Sequence, residues 1–244
     1  MAPIRKGDGT PLEIPGVSEV RSGDGRVFFE DAIPDSAVNR FALDEGSGTT
    51  AEDSIGSLNL TLDQPSWVSN NWQGSFALDF DPSNNDYADA GQQVSTIDEN
   101  ENFSIAATID LDSASGDPGD RGMIAEQLDA DSNGFSFGVA DTDGEIAVRD
   151  WADNNVSGSI DIQTKTRVVS TYNSSDGLNL YINTNAQTGS EQVVNGTAES
   201  NFIVGARSDL NGSFLDGRLD DIIIYDTELD TNEIDQDYNA QPWV

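Results

Sequence analysis

FLDGRLDDIIIYDTELDTNEIDQDY, residues 214–238, decides how the rest of the chain is read. Gly217 ends a turn, and Leu219 to Tyr225 is a β-branched run with strand character. Beyond it, Asp230 can cap a short helix with Glu233 three residues on, and Leu229 and Ile234 stand where a hydrophobic staple needs them. The stretch therefore predicts a strand, a tight turn and one capped helix. Strand parity assigns Asp220, Ile222 and Ile224 to one face and Leu219, Asp221, Ile223 and Tyr225 to the other.

Composition narrows the rest. The 244 residues include no cysteine and no histidine, and 45 acidic side chains against 11 basic ones give a formal net charge of −34. Such a length suits one large β-sandwich better than two domains. Without cysteine the fold is no disulfide scaffold and rests on its core and on any metal it binds. Without histidine it lacks the usual general base and the commonest zinc ligand. Gly, Asn, Asp and Ser punctuate short apolar runs throughout, and helical periodicity is nearly absent.

The acidity runs along the whole chain, and lysine survives only at Lys6 and Lys165. In dilute buffer such a surface repels itself; in molar salt the screening length falls to about 3 Å and the repulsion fades. This points to a hypersaline cytoplasm or brine. An acidic mesophilic secreted domain would explain the charge but not the near-loss of lysine. With no basic patch to neutralise phosphates, nucleic acid is excluded as a partner. Met1 to Gly16 has an Arg-Lys pair but no apolar signal-peptide core, and no run approaches transmembrane length, so no membrane insertion is expected.

The 214–238 stretch also resembles the closing motif of laminin G-like domains, which share the concanavalin A-like sandwich. Phe214, Gly217, Asp220, Asp221, Ile224, Tyr225, Leu229, Glu233, Ile234 and Tyr238 match it. The opening phrase of that family is echoed by Arg40 to Ser54, RFALDEGSGTTAEDS, and further phrases by Gly74 to Phe80 with Asp86-Tyr87, by Asn102 to Ile109, and by Leu178 to Asn183 with Thr184 in place of a glycine. The W-H-H-V-A phrase is weak, as Thr166 to Ser170. The resemblance implies an all-β, concanavalin A-like jelly roll of two antiparallel sheets over residues 36–244, with one short C-terminal helix. It also places a polar residue at Ile223, on the outer face; here the isoleucine suggests a cover, either the arm or a neighbouring subunit.

Residues 1–35 read as an arm, extended or forming a small hairpin, with Val27-Phe28-Phe29 as a short strand. Arg5-Lys6-Gly7-Asp8-Gly9 returns as Arg21-Ser22-Gly23-Asp24-Gly25, and Asp-Gly pairs are turn signals. The segment resembles the N-termini of virion structural proteins of haloarchaeal tailed viruses. Arg5, Lys6, Arg21 and Arg26 are the candidate assembly contacts with an acidic partner, and Ile223 is a further one; a flexible polar terminus is the plainer alternative.

Catalysis finds little support. Concanavalin A-like glycoside hydrolases alternate carboxylates along one strand, E-x-D-x-x-E or E-x-D-x-E. The nearest string, Glu145 to Asp150, fails that pattern. No histidine or cysteine is present for a nucleophilic triad of the usual form. The expectation is therefore no enzyme.

For metal, Asp129, Asp131 and Asn133 have the D-x-D-x-N-G spacing that a hard Ca²⁺ or Mg²⁺ ion requires, although Ala140 stands where a bidentate Glu should be and a solvated Asx turn reads as well. Asp44, Asp53 and Asp220 are further metal candidates from the resemblance, whereas Arg207 argues against a pentraxin-like calcium site. For glycan, Trp72 and Trp151 lie in polar, Asn-rich stretches and could stack on sugar rings, with Asp150 and Asn154 reaching hydroxyls. Trp67 falls at a core position. Asn-x-Ser/Thr sequons occur at Asn59, Asn102, Asn155, Asn173, Asn195 and Asn211.

These readings converge on a virion surface structural protein of a haloarchaeal virus: a capsid turret, decoration or tail-fibre subunit. It is expected to be made in the host cytoplasm, to form a homo-oligomer, and to join other virion proteins through the arm. The sandwich would touch host surface glycan or glycoprotein, with divalent cations bridging acidic surfaces. A haloarchaeal cell-surface or secreted carbohydrate-binding module is the alternative, and a purely structural decoration protein a third reading.

Overall fold

The computed structural model describes residues 17–21, 27–31, 33–69, 74–112, 122–129, 133–140, 144–149, 155–187, 189, 196 and 198–241. In chain order the strands are β1 (Val17–Arg21), β2 (Val27–Asp31), β3 (Ala37–Phe41), β4 (Thr50–Ala51), β5 (Leu60–Asp63), β6 (Ser66–Ser69), β7 (Phe76–Phe80), β8 (Tyr87–Asp89) and β9 (Phe103–Leu111). They continue as β10 (Met123–Leu128), β11 (Gly134–Ala140), β12 (Glu145–Arg149), β13 (Asn155–Ser159), β14 (Thr166–Asn173), β15 (Gly177–Ile182), β16 (Asn185–Ala186), β17 (Ile203–Val204) and β18 (Gly217–Tyr225), followed by helix α1 (Thr231–Asn239).

Two antiparallel sheets form the expected jelly-roll sandwich. One runs β13-β12-β11-β10-β17-β8-β5-β4; the other runs β16-β15-β14-β9-β18-β7-β6, with β3 also paired to β18. Their inner faces interdigitate as alternating apolar residues. Phe103 sits at the centre, edge-on to Phe135 with ring centroids 5.5 Å apart and 5.0 Å from Tyr172. Each fully buried Phe, Leu or Ile of this kind contributes about 1.5–3 kcal/mol relative to exposure. β1 and β2 pair as a separate two-stranded hairpin, which accords with the strand read at Val27-Phe28-Phe29.

β18 is the pivot of its sheet, bonded to β9 on one side and to β7 and β3 on the other. Gly217 opens it at φ 145°, where a Cβ would lie 2.5 Å from the Asp110 carbonyl oxygen. The helix start is as read: Asp230 and Glu233 form a capping box, and Leu229 and Ile234 are both buried in one cluster.

Two expectations for this strand need correction. Its pairing with β9 slips by one residue between Asp220 and Ile223, a β-bulge, with Asp221 at φ 43°. The extra residue breaks the alternation. Leu219, Ile222 and Ile224 therefore share the inner core, while Asp220, opposite outward-facing Thr108, leaves the face it was assigned. Ile223 does face outward, but it is fully buried, packed with Ala106, Val169, Tyr225, Leu229 and Ile234. Its cover is the chain's own: Leu229 and Ile234 at the start of the helix, with Ile33 of the N-terminal segment packed against the same cluster, so it offers no surface to a neighbouring subunit.

Candidate functional site

β14, β9 and β18 lie side by side and antiparallel, so the start of β9, the end of β14 and the end of β18 meet at one rim of the sandwich. There a groove of about 420 Å³ is lined by Asn100, Glu101, Asn102, Ser174, Asp226, Thr227 and Glu228. Its walls are fixed from below. Ser104 donates its hydroxyl to the Thr227 carbonyl oxygen at 2.8 Å and accepts the Leu229 N–H at 3.0 Å. Asn102 Oδ1 accepts the Ser174 N–H at 3.1 Å, and Glu228 Oε2 accepts from Asn173 Nδ2 at 2.6 Å. The Asp226 N–H donates to the Ser36 carbonyl oxygen at 3.0 Å, so the chain enters β3 beside the groove.

Three carboxylates, two amides and two hydroxyls line this groove, with no basic and no aromatic side chain among them. Such a surface accepts hydrogen bonds from sugar hydroxyls or from cationic groups. Stacking on a sugar face would have to come from outside it.

Of the residues singled out in the sequence, Arg5, Lys6, Arg26, Trp72, Asp131, Asp150, Trp151 and Asn154 lie outside the described residues, and Arg21 is described only as backbone of β1. The strands flanking the two tryptophans are placed. β12 and β13 lie at one edge of the sandwich, next to β15; β6 and β7 lie at the opposite edge, where Trp67 Nε1 donates to the Gly48 carbonyl oxygen at 3.0 Å. Trp67 packs against the main core.

The described metal candidates are not brought together. Asp129 is tied to Asn133, its Oδ1 accepting the Asn133 N–H at 3.0 Å and its Oδ2 the Asn133 side-chain amide at 3.1 Å. Asp44 Oδ1 accepts the N–H groups of Ser75 and Phe76 at 2.6 and 3.0 Å, tying the loop after β3 to the start of β7. Asp53 Oδ1 accepts three backbone N–H groups, from Arg40, Ile55 and Gly56; its Oδ2 takes Asn39 Nδ2 at 2.6 Å and the Leu58 N–H at 3.0 Å. Burial raises the pKa of Asp53, but these hydrogen bonds outweigh it and hold the carboxyl below its ordinary value. Asp220 is fully buried and accepts the Asp221 N–H at 2.9 Å. Ca²⁺ and Mg²⁺ need several oxygen ligands around one point. Among the described residues no three carboxylates converge in that way.

A buried ionic cluster with no local signature in the sequence lies between the outer face of β14-β9-β18 and α1. Arg167, 1% exposed, donates to both oxygens of Asp237, to the Asp221 carbonyl oxygen at 2.6 Å and to Thr108 Oγ1 at 3.2 Å. Arg40 Nε donates to Asp221 Oδ1 at 2.6 Å, Gln241 Nε2 to Asp221 Oδ2 at 2.8 Å, and the Tyr225 hydroxyl to Asp237 Oδ1 at 2.6 Å. Burial alone would lower the Arg167 pKa, yet the adjacent Asp237 drives it up. Burial, then the Asp237 charge, pushes the Tyr225 phenol well above its ordinary range. Arg207 and Arg218 also pair, with Asp209 at 2.7 Å and Asp79 at 3.3 Å. The arginines whose contacts are described here thus turn inward or bind neighbouring aspartates, and the surface they leave is acidic.

A family profile described as the concanavalin A-like lectin/glucanases superfamily matches residues 82–235. The chain belongs to this superfamily. The match spans strands β8 to β18 and the first half of α1. No curated protein matches this concanavalin A-like chain in sequence.

Solved structures share its fold at low identity. A Trypanosoma rangeli sialidase in complex with the inhibitor DANA superposes with a TM-score of 0.63 at 17% identity, over 85% of this chain and 33% of the sialidase. The binding domain of Paraclostridial Mosquitocidal Protein 1 gives 0.64 at 16%, over 84% and 52% of the two chains. Domain 4 of AbnA, an extracellular arabinanase from Geobacillus stearothermophilus, in complex with arabinotriose, gives 0.61 at 12%, over 84% and 98%. The chain therefore spans about a third of the sialidase it resembles.

The expectation of no enzyme is corrected here. The superfamily embraces glucanases as well as lectins, and sialidases stand among the structures of this fold, so a missing carboxylate motif does not separate binding from catalysis. What stands is a lectin-like fold whose structural neighbours include sugar- and receptor-binding domains.

Proposed function

We propose that this concanavalin A-like domain binds a host surface glycan or glycoprotein through the rim groove between Asn100 and Glu228, and that the protein is a virion surface subunit of a haloarchaeal virus. The observation that carries the binding reading is the groove itself. Glu101, Asp226, Glu228, Asn100 and Asn102 converge there on a fixed scaffold, and carboxylate and amide side chains are the groups that take hydrogen bonds from sugar hydroxyls. The arabinotriose held by a neighbour of similar size and fold supports this reading.

The virion reading rests on the arm and on composition. Four of the 11 basic residues, Arg5, Lys6, Arg21 and Arg26, fall within residues 1–35, which suits contact with acidic copies of the chain or with other acidic virion proteins. A net charge of −34 suits work in molar salt, where Ca²⁺ or Mg²⁺ would bridge acidic surfaces. One observation favours a second reading: the 98% coverage of the arabinanase domain is what a cell-surface or secreted carbohydrate-binding module would also give.

The deciding experiment is glycan-array and host-glycoprotein binding by the full chain in molar KCl, with an Asn102→Ala/Asp226→Ala variant beside it. Loss of binding in the variant, with an unchanged melting temperature, supports the groove. Binding that survives the change removes the groove from the reading. Light scattering of the full chain and of a variant with Arg5, Lys6, Arg21 and Arg26 changed to Gln separates the two settings. A defined oligomer that needs those four cations supports the virion subunit, and a monomer in both cases supports the module.

A further inference from the structure

Asn-Gly occurs three times in the chain, at Asn133-Gly134, Asn195-Gly196 and Asn211-Gly212. The pair is chemically labile when it is free to move. The glycine nitrogen can attack the asparagine side-chain carbonyl carbon, because glycine has no Cβ to crowd the five-membered ring that forms. A hydrogen bond that holds the carboxamide or the glycine N–H opposes the attack, so the fold decides which pair reacts.

The first two pairs are restrained. Asn133 gives its N–H and its Nδ2 to the two oxygens of Asp129, and its Oδ1 packs so close to Gly196 that a Cβ there would lie 2.3 Å from it. The Gly196 N–H donates to Glu99 Oε2 at 2.8 Å, although Asn195 itself lies outside the described residues.

Asn211-Gly212 is held at neither reacting group. It sits in the turn between β17 and β18, which is closed by the Leu210 N–H on the Arg207 carbonyl oxygen at 2.9 Å and by the Arg207 N–H on the Gly212 carbonyl oxygen at 3.4 Å. Asn211 is exposed, and its neighbours are at positive φ, Leu210 at 54° and Gly212 at 128°. The Asn211 N–H donates to Asp209 Oδ1 at 3.1 Å. Among the described residues, neither its carboxamide nor the Gly212 N–H makes a hydrogen bond.

We propose that Asn211 is a site of spontaneous modification, at which the chain converts its own side chain to an acid with water as the only co-reactant. The Gly212 nitrogen gives its proton to water or hydroxide as it bonds to Asn211 Cγ. The Cγ–Nδ2 bond breaks and ammonia leaves, which closes a succinimide. Water then adds to one of the two ring carbonyls and the ring C–N bond beside it breaks. Addition at Cγ gives aspartate, and addition at the main-chain carbonyl gives isoaspartate. Either product adds a negative charge beside Asp209. Isoaspartate also lengthens the backbone of the turn by one methylene, close to Ser208, whose N–H and hydroxyl hold the buried Glu126 Oε2 at 2.7 and 3.0 Å. The turn packs beside β10, in the sheet that does not carry the groove strands, so the site stands whether or not the groove takes a glycan.

The test ages the full folded chain in mildly alkaline molar KCl made with heavy-oxygen water and maps the products by peptide mass spectrometry. The expected result is exchange of NH₂ for a labelled OH at Asn211, with Asn133 and Asn195 lagging by about tenfold, the factor that one restraining hydrogen bond is worth. Isoaspartyl methyltransferase should label the aged wild type, and the label should be lost in an equally aged Asn211→Gln chain. In urea, where the restraints are gone, the three pairs should react at similar rates. An Asn211 that stays intact, or three pairs that react alike in the folded chain, overturns the proposal.

Discussion

Arg167 grips Asp237 through two parallel hydrogen bonds, Nε to Oδ2 at 2.8 Å and Nη2 to Oδ1 at 2.7 Å, with neither side chain in contact with water. The pair joins the outer face of the sheet to a helix in which Ile234 and Asp237 are the buried residues. Removing one partner strands a charge, so Asp237→Ala is expected to cost about 3–5 kcal/mol. Urea unfolding in molar KCl reads this as a fall in the midpoint; a loss below about 1 kcal/mol, the scale of a surface pair, would show the cluster to be solvated.

Ile223 gives a test of its place beneath the helix. As a core side chain, Ile223→Ala should cost about 2–5 kcal/mol. The particle size seen by light scattering should stay the same, because the residue faces α1 and not a partner. The reverse outcome, a smaller particle at unchanged stability, would return Ile223 to the surface.

Thr184 occupies the family's glycine position in the two-residue turn between β15 and β16, and its φ of 68° follows that of Asn183 at 45°. Positive φ at both central residues is the type I′ requirement that Asn-Gly meets best. A β-branched residue in that region is strained by about 1–2 kcal/mol. Thr184→Gly is expected to stabilise the chain by about 1 kcal/mol after the entropy glycine costs in the unfolded state. Thermal unfolding should show the gain, and a lower melting temperature would contradict the turn geometry.

Mild acid should stabilise the protein. Burial raises the pKa of Glu126, and likewise of Asp79, Asp86 and Asp110. At these groups the folded chain holds protons more tightly than the unfolded one, so stability grows as pH falls through their raised values. The gain ends at the ordinary carboxylate values of 3.8 and 4.5, where the unfolded chain is protonated too. Asp53 acts in the opposite sense: its contribution is present above 3.8 and is lost as pH falls through its lower folded value. Melting temperatures in molar KCl should therefore rise as pH falls from neutrality toward these ordinary values and level off below them, with Asp53 subtracting from the gain in stronger acid. A flat or falling profile from neutrality down to those values would contradict the burial of these carboxylates.

Local grammar made much of this fold readable. The Asp230–Glu233 box and the Leu229–Ile234 staple depend on residues a few positions apart, and both form. The bulge at Asp220-Asp221 was missed because a strict two-residue alternation has no place for an extra residue; the paired aspartates, which tolerate positive φ, were the available sign. Nothing local could reveal the ionic cluster, since Arg40 and Asp221 are 181 positions apart and Arg167 and Asp237 are 70. The rim groove was equally hidden. Its seven residues come from three segments, and none of them belongs to the tryptophan-centred stretches that suggested sugar binding.

The hydrogen bond from Asp226 to Ser36 puts the chain's point of entry and the groove wall on adjacent residues. If the N-terminal segment is anchored and a ligand is gripped at Asp226 to Glu228, tension between the two has a very short load path. It crosses the Ser36–Asp226 bond and the β3–β18 ladder, from Ala37 opposite Tyr225 to Phe41 opposite Ile222. The sandwich would then act as a rigid handle, with its mechanical fuse at the rim.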